Sequence, residues 1–301
     1  MTVTLLESPP VLDATPRATV IADTPASNRR AGRQVRALVQ RSGVILAIGV
    51  VLFAVVSAVI PQLLATYDPT ATVPLDRLLP PSHTHWFGTD DLGRDLYSRV
   101  VHGSALTIAA TALAVGLALV VGLTLGVLSG FVGGRTDAIA MRIVDVFLAI
   151  PGLLLALAIV TALGFGTVPV AIAVGIGIVP GFARTTRAEV LRVRTLPYIE
   201  AARAGGASWT RILITHILPN SWGPVMVLAV LDIGVAILAV ASLSFLGFGA
   251  APPAAEWGTL IANGRNYLVT APWVSLIPGL FVAAVVLSLN HLSKTLEEAQ
   301  R

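Results

Sequence analysis

Cysteine is absent from the chain, lysine occurs once (Lys294), and charged residues make up only 12% of its 301 positions. Soluble domains carry about 25% charged residues. The missing cysteines exclude disulfides and thiolate metal centres. The single lysine follows Leu292-Ser293, so no G-x-x-x-x-G-K-[ST] phosphate loop exists and the chain does not bind ATP in that way. With 55% hydrophobic residues and a mean hydropathy of +0.83, the composition argues against a water-soluble enzyme and for a lipid bilayer as solvent.

Long stretches free of Asp, Glu, Lys and Arg take the place of the missing charge. A bilayer core of about 30 Å needs about 20 helical residues. Residues 42–66, 103–134, 212–231 (running past Asp232 to 255) and 266–293 each suffice for one crossing. Residues 146–183 would measure about 57 Å as one helix. They are broken by Gly164-Phe165-Gly166-Thr167-Val168-Pro169, which reads as a tight turn between two crossings. The expectation is an all-α polytopic membrane protein with six transmembrane helices, near residues 43–64, 106–128, 140–163, 168–186, 224–247 and 271–291.

Arginine sets the orientation. With a cytoplasmic N-terminus, 16 of the 20 basic residues fall inside and only Arg77, Arg94, Arg99 and Arg265 outside, so both termini are expected in the cytoplasm. Residues 1–42 read as a basic, largely disordered cytoplasmic tail, 43–291 as the transmembrane domain, and 292–301 as a short cytoplasmic tail. The cluster Arg29, Arg30, Arg33, Arg36 and Arg41 reads as an orientation signal touching anionic lipid. Residues 1–28 lack the charged start and immediate short apolar run of a cleavable signal.

No catalytic constellation emerges, since the five histidines fall in separate regions on both sides of the membrane. The outer loop, residues 65–105, gathers His83, His85, Asp90, Asp91, Asp95 and His102, which have the chemistry of cation ligands. Pro80-Pro81 and Gly88 break the loop, and no pair has helical ligand spacing. We therefore expect no metal, and a solvated or partner-facing loop. Within the spans, Asp232 is the leading intramembrane charge, read as lining a pathway, pairing with a companion subunit, or interfacial. Asp145, three residues after Arg142, suggests an i, i+3 salt bridge. Asn290 reads as structural. Gly122, Gly126 and Gly130 at four-residue spacing predict close helix packing, and Gly116, Gly175, Gly177 and Gly181 are read alike.

The cytoplasmic loop 187–221 carries the sharpest signal. Two short helices are expected to meet at Gly205-Gly206, with Pro197 in the first turn of one, Ser208 capping the other and Pro219 ending it. Glu200, Ala201, Ala202, Ala204, Gly205, Gly206 and Ala207 present one acid among very small side chains, a face on which another protein can close tightly.

Glu200-Ala201-Ala202, Gly206 and Leu218-Pro219 fit E-A-A-x3-G-x9-I-x-L-P, and here the chain resembles the membrane subunits of binding-protein-dependent ABC importers. His216 replaces the pattern's isoleucine, and His216 to Asn220 (H-I-L-P-N) resembles the dipeptide, oligopeptide and nickel branch. Tyr67-Asp68-Pro69, Phe87 to Asp95, Asp145-Val146, Pro151-Gly152-Leu153, Ala241 to Gly249, Pro252-Pro253, Trp257-Gly258, Gly264-Arg265 and Pro272-Trp273 resemble the second ("C") permease of that branch. Beyond Asn290 the likeness stops.

That resemblance implies a type I importer permease fold and a heterodimer with a companion permease. It also implies two ATP-binding subunits holding ATP and Mg, an extracytoplasmic substrate-binding protein, and a bacterial cytoplasmic membrane. This chain would bind no cofactor, metal or nucleic acid, and residues 200–207 would dock on an ATPase subunit. Peptides are the expected cargo, with nickel or glutathione as alternatives within the branch. An ion-coupled secondary carrier is the rival outside it, and that rival needs repeats and midplane charges which the sequence lacks.

Overall fold

The computed structural model describes residues 26–300, with side chains from Ser42 to Thr295. The expectation for residues 1–25 lies outside the described residues. Two units separate, Met1–Ser42 and Gly43–Arg301. The first contributes the helical stretch that starts at Ala26, and the second holds the membrane bundle.

The elements are helices: α1 (Ala26–Val59), α2 (Leu96–Val132), α3 (Gly134–Leu148), α4 (Gly152–Leu163), α5 (Thr167–Arg194), α6 (Pro197–Ala204), α7 (Trp209–Ile212), α8 (Leu218–Phe245), α9 (Trp257–Gly264) and α10 (Trp273–Gln300). No strand occurs among the described residues beyond an isolated bridge between Thr89 and Asp95. Among the described residues five helical stretches are long and apolar enough to cross a membrane, and α3 and α4 pass that test only together, as a bent pair. A backbone in hydrocarbon must satisfy its own hydrogen bonds, which is why the long spans are all helical.

The bent pair departs from the expected straight span at 140–163. α3 and α4 meet at 93°. The cause is local: Pro151 has no N–H to donate and pushes Ile150 away from helical geometry, so one helix stops at Leu148 and the next starts at Gly152. The turn expected at 164–169 is present, with Gly164 and Gly166 at φ of +97° and +123°.

α2 and α5 form the central pair. A Cβ on Gly122 would stand 2.4 Å from the Phe182 Cβ, on Gly126 2.6 Å from the Ala183 carbonyl, and on Gly130 2.9 Å from Val190. Those three glycines, and Gly175 against Ala114 and Leu117, let the backbones meet. The other glycines read as packing residues differ: Gly116 and Gly181 face open space, and Gly177 makes only ordinary contact. Small residues such as Ala110, Ala114, Ala118, Ala171 and Ala173 fill the core between α2, α5 and α8. A second cluster joins Ala54 of α1 to Ile237, Trp257, Val282 and Val285.

Pro219 does not end the second loop helix. α7 runs through a π-helical turn, Leu213–Ile217, directly into α8. A proline ring clashes with the carbonyl four residues back, and widening that turn, with the Leu218 N–H bonded to the Leu213 carbonyl, relieves the clash.

Candidate functional site

The loop between α5 and α8 is built from the expected marks. Pro197 opens α6, where a missing N–H costs nothing. Gly205 caps α6, and Gly206, at φ +78°, turns the chain. The Ser208 hydroxyl then accepts the Arg211 N–H to start α7. Beneath the loop, Ile199, Ile212 and Ile217 are buried against Val127 of α2 and Val190 and Val193 of α5. Glu200, Ala201, Ala204, Gly205 and Gly206 are exposed, with Ala202 and Ala207 half-buried beside them. The structure thus brings all seven residues onto one segment that an apolar anchor fixes to the bundle.

An aromatic and cationic group lies against that segment. The Arg203 guanidinium sits 4.1 Å from the Trp209 ring centroid, and Phe131, in the last turn of α2, meets the same ring edge-on at 5.4 Å. Arg194 donates to the carbonyls of Gly130 and Phe131, at 3.2 and 3.0 Å. Sequence reasoning passed over Trp209. The available signal was one large aromatic residue following a run of alanine and glycine.

The remaining site residues are dispersed. Asp145 pairs with Arg184 of α5 at 2.6 Å, not with Arg142 as expected, because the bend swings α3 alongside α5. Asp137 of α3 likewise takes two N–H groups of Arg187, one at 2.6 Å, and the Ser129 hydroxyl. Asp232 is half-buried on α8 and has no salt-bridge partner among the described residues. Asn290 lies close to Gly234, its Oδ1 3.2 Å from where a Cβ there would stand.

The outer loop is largely solvated from Thr66 to Thr84, as expected, but its inner part around Asp90, Arg94 and Asp95 is buried. Asp90 accepts the backbone N–H of Leu92 and Arg94 and the Arg94 Nε at 2.7 Å, and the Arg99 Nε stands 3.4 Å away. Asp90, Arg94, Asp95 and Arg99 are all buried. Asp95 caps α2 through the Ser98 N–H and also meets His85 Nδ1 at 2.9 Å. At the rim, the N–H and hydroxyl of Thr70 both donate to Asp68 and hold its carboxyl below the ordinary range. Among the described residues no cluster of His, Cys, Asp or Glu has the arrangement of a metal site.

Glu256, also missed, is fully buried and accepts the Ser244 hydroxyl at 2.6 Å and the Ala250 N–H at 3.0 Å. It fixes the segment after α8 that borders a cleft of about 640 Å³, lined also by Arg94, Arg99, Arg265, Asn266 and Phe165.

Residues 122–301 match the family described as "Binding-protein-dependent transport system inner membrane component". The chain belongs to this family. It is similar to the "Probable D,D-dipeptide transport system permease protein DdpC" of Escherichia coli (strain K12), 45% identical over 227 residues, which are 75% of this chain and 76% of that protein. It is similar to the "Dipeptide transport system permease protein DppC" of Alkalihalophilus pseudofirmus, 41% identical over 80% of each chain. The "Glutathione transport system permease protein GsiD" of Pectobacterium atrosepticum is 42% identical over 79% of each.

Among solved structures, the inward-facing MetNI methionine ABC transporter superposes with a TM-score of 0.55 at 21% identity, covering 66% of this chain and 95% of that one. An amino acid ABC transporter gives 0.53 at 18%, covering 67% and 94%. Those two likenesses establish the fold. The permease fold so shared is all-α and membrane-spanning, as the sequence led us to expect. This permease is accordingly a multi-pass membrane protein of an ABC importer.

Proposed function

We propose that this permease carries short peptides across a bacterial cytoplasmic membrane as one half of a heterodimeric pathway. Two ATP-binding subunits, which hold ATP and Mg, sit beneath it, and an extracytoplasmic binding protein delivers the cargo. The termini lie in the cytoplasm, in keeping with the distribution of arginine. The relatives are named for D,D-dipeptide, dipeptide and glutathione transport, and amide-linked short peptides are the chemistry common to those cargoes.

The observation that carries the reading is the helix, Gly-Gly turn and capped helix over residues 197–212. It is exposed on the small-residue side and anchored on the apolar side. A surface of alanine and glycine lets a partner's backbone come close, while the anchor passes displacement to α2, α5 and α8. Docking on an ATPase subunit through residues 200–207 then converts closure of the ATPase pair into movement of the helices. Asp232 and Asn290 are read as polar groups of the pathway or of helix contacts, and Asp145 as part of the tie between α3 and α5.

The test is ATP-dependent uptake of labelled dipeptide into proteoliposomes holding this chain, its companion permease, the ATPases and the binding protein. Uptake that requires ATP and fails with Glu200→Arg is the expected result. The glutathione-named relatives support a second reading, in which glutathione and not dipeptide accumulates.

A further inference from the structure

α2 packs along α5 at backbone distance, yet its inner end reaches the coupling segment only through non-covalent contacts. α5 runs into α6 across Thr195 and Leu196, and α7 runs into α8, so those helices are joined to the segment by the chain itself. Movement at the segment enters α2 through side chains. Val127 contributes from the apolar anchor, and Arg194 holds the last carbonyls of α2, where a cation also suits the helix dipole. Trp209 adds an aromatic contact. Its ring meets Phe131 of α2 edge-on at 5.4 Å and carries the Arg203 guanidinium of α6 at 4.1 Å, while Arg194 stands 6.0 Å away.

Two features argue that this is more than surface packing. Trp209 remains 51% exposed, so burial of the ring does not explain its presence beside a turn of alanine and glycine. The ring also links three elements, α2, α6 and α7, and its contacts with a cation and with a second ring are both directional. A joint of that kind resists sliding of α6 past α2 where a purely aliphatic contact would allow it.

We propose that Trp209 is a positioning residue for energy coupling: in contact with both Arg203 and Phe131, it makes the coupling segment and the inner end of α2 move as one body. The proposal rests on the docking role of residues 200–207 given above. Removing the ring should leave the ATPases docked and active while the displacement they produce reaches α2 incompletely.

The chain has no cysteine, so Leu128→Cys on α2 and Thr210→Cys on the loop, both exposed, introduce the only two labelling sites on this subunit. The assembled complex in proteoliposomes, spin-labelled there, should give one narrow distance, unchanged between nucleotide-free and ATP-trapped states. Trp209→Ala should broaden or shift it in the trapped state. It should also lower dipeptide imported per ATP hydrolysed by about fivefold or more, a usual size for a coupling between sites. Trp209→Phe, which keeps a ring, should restore most of both, and Phe131→Ala should reproduce the loss without adding to Trp209→Ala.

A native distance that changes between states, or an unchanged yield per ATP in Trp209→Ala, would overturn the proposal. ATPase subunits that no longer copurify with Trp209→Ala would also overturn it, since the ring would then serve docking. Normal uptake by Glu200→Arg would remove the docking reading and the proposal with it. A negative Trp209 result alongside a transport-dead Glu200→Arg would overturn the proposal alone.

Discussion

Gly206 shows how a single residue's conformation can be separated from its contacts. Its φ of +78° is one that glycine adopts freely and asparagine tolerates, and a Cβ there would meet nothing within 4 Å of this chain. Gly206→Asn should therefore preserve the turn, whereas Gly206→Asp adds a charge to the face read as the ATPase contact. We expect Gly206→Asp to abolish uptake with protein still in the membrane. Gly206→Asn should cost less, and uptake assays on membranes of matched protein content decide the order. Gly126 is the opposite case, limited by space within this chain. Gly126→Ala must displace backbone of α5 and should cost about 1–3 kcal/mol, as overpacking does, whereas Gly116→Ala enters open space and should lower the thermal midpoint little or not at all.

At the scale of elements, two ion pairs tie α3 to α5, and they differ in burial. Asp137 and Arg187 are 22% and 31% exposed, while Asp145 and Arg184 are 55% and 59% exposed. An exposed pair contributes about 0–1 kcal/mol, and the half-buried Asp137 adds the Ser129 hydroxyl and a second Arg187 N–H to its pair. Asp137→Asn should therefore lower the thermal midpoint of the solubilised permease clearly more than Asp145→Asn.

The spans were legible because a charge in hydrocarbon is costly, so charge-free stretches mark where helices cross. The caps at Pro197 and Ser208 were legible because they act within a few residues. The bend at Pro151 and the continuity through Pro219 were not. Proline signals a disturbed turn, but packing decides between a break and a widened turn. Nor could spacing along one helix reveal that Asp145 meets Arg184 across the bend, or that Asp90 draws two arginines into the buried part of the outer loop. Glu256 stayed hidden because its partners, Ser244 and Ala250, become neighbours only when the segment after α8 folds back.

For the whole molecule, the chain spans the membrane, holds no phosphate loop, and presents an anchored segment of small residues on an otherwise apolar bundle. In the function proposed above, those features put the pathway on this chain and hydrolysis on a partner. The most direct measurement of that division is labelled dipeptide uptake into proteoliposomes holding the complete complex, with ATP inside and then with the proton gradient collapsed. Accumulation that requires ATP, survives loss of the gradient and disappears with Gly206→Asp is the predicted result. Accumulation that persists without ATP and collapses with the gradient would contradict the account.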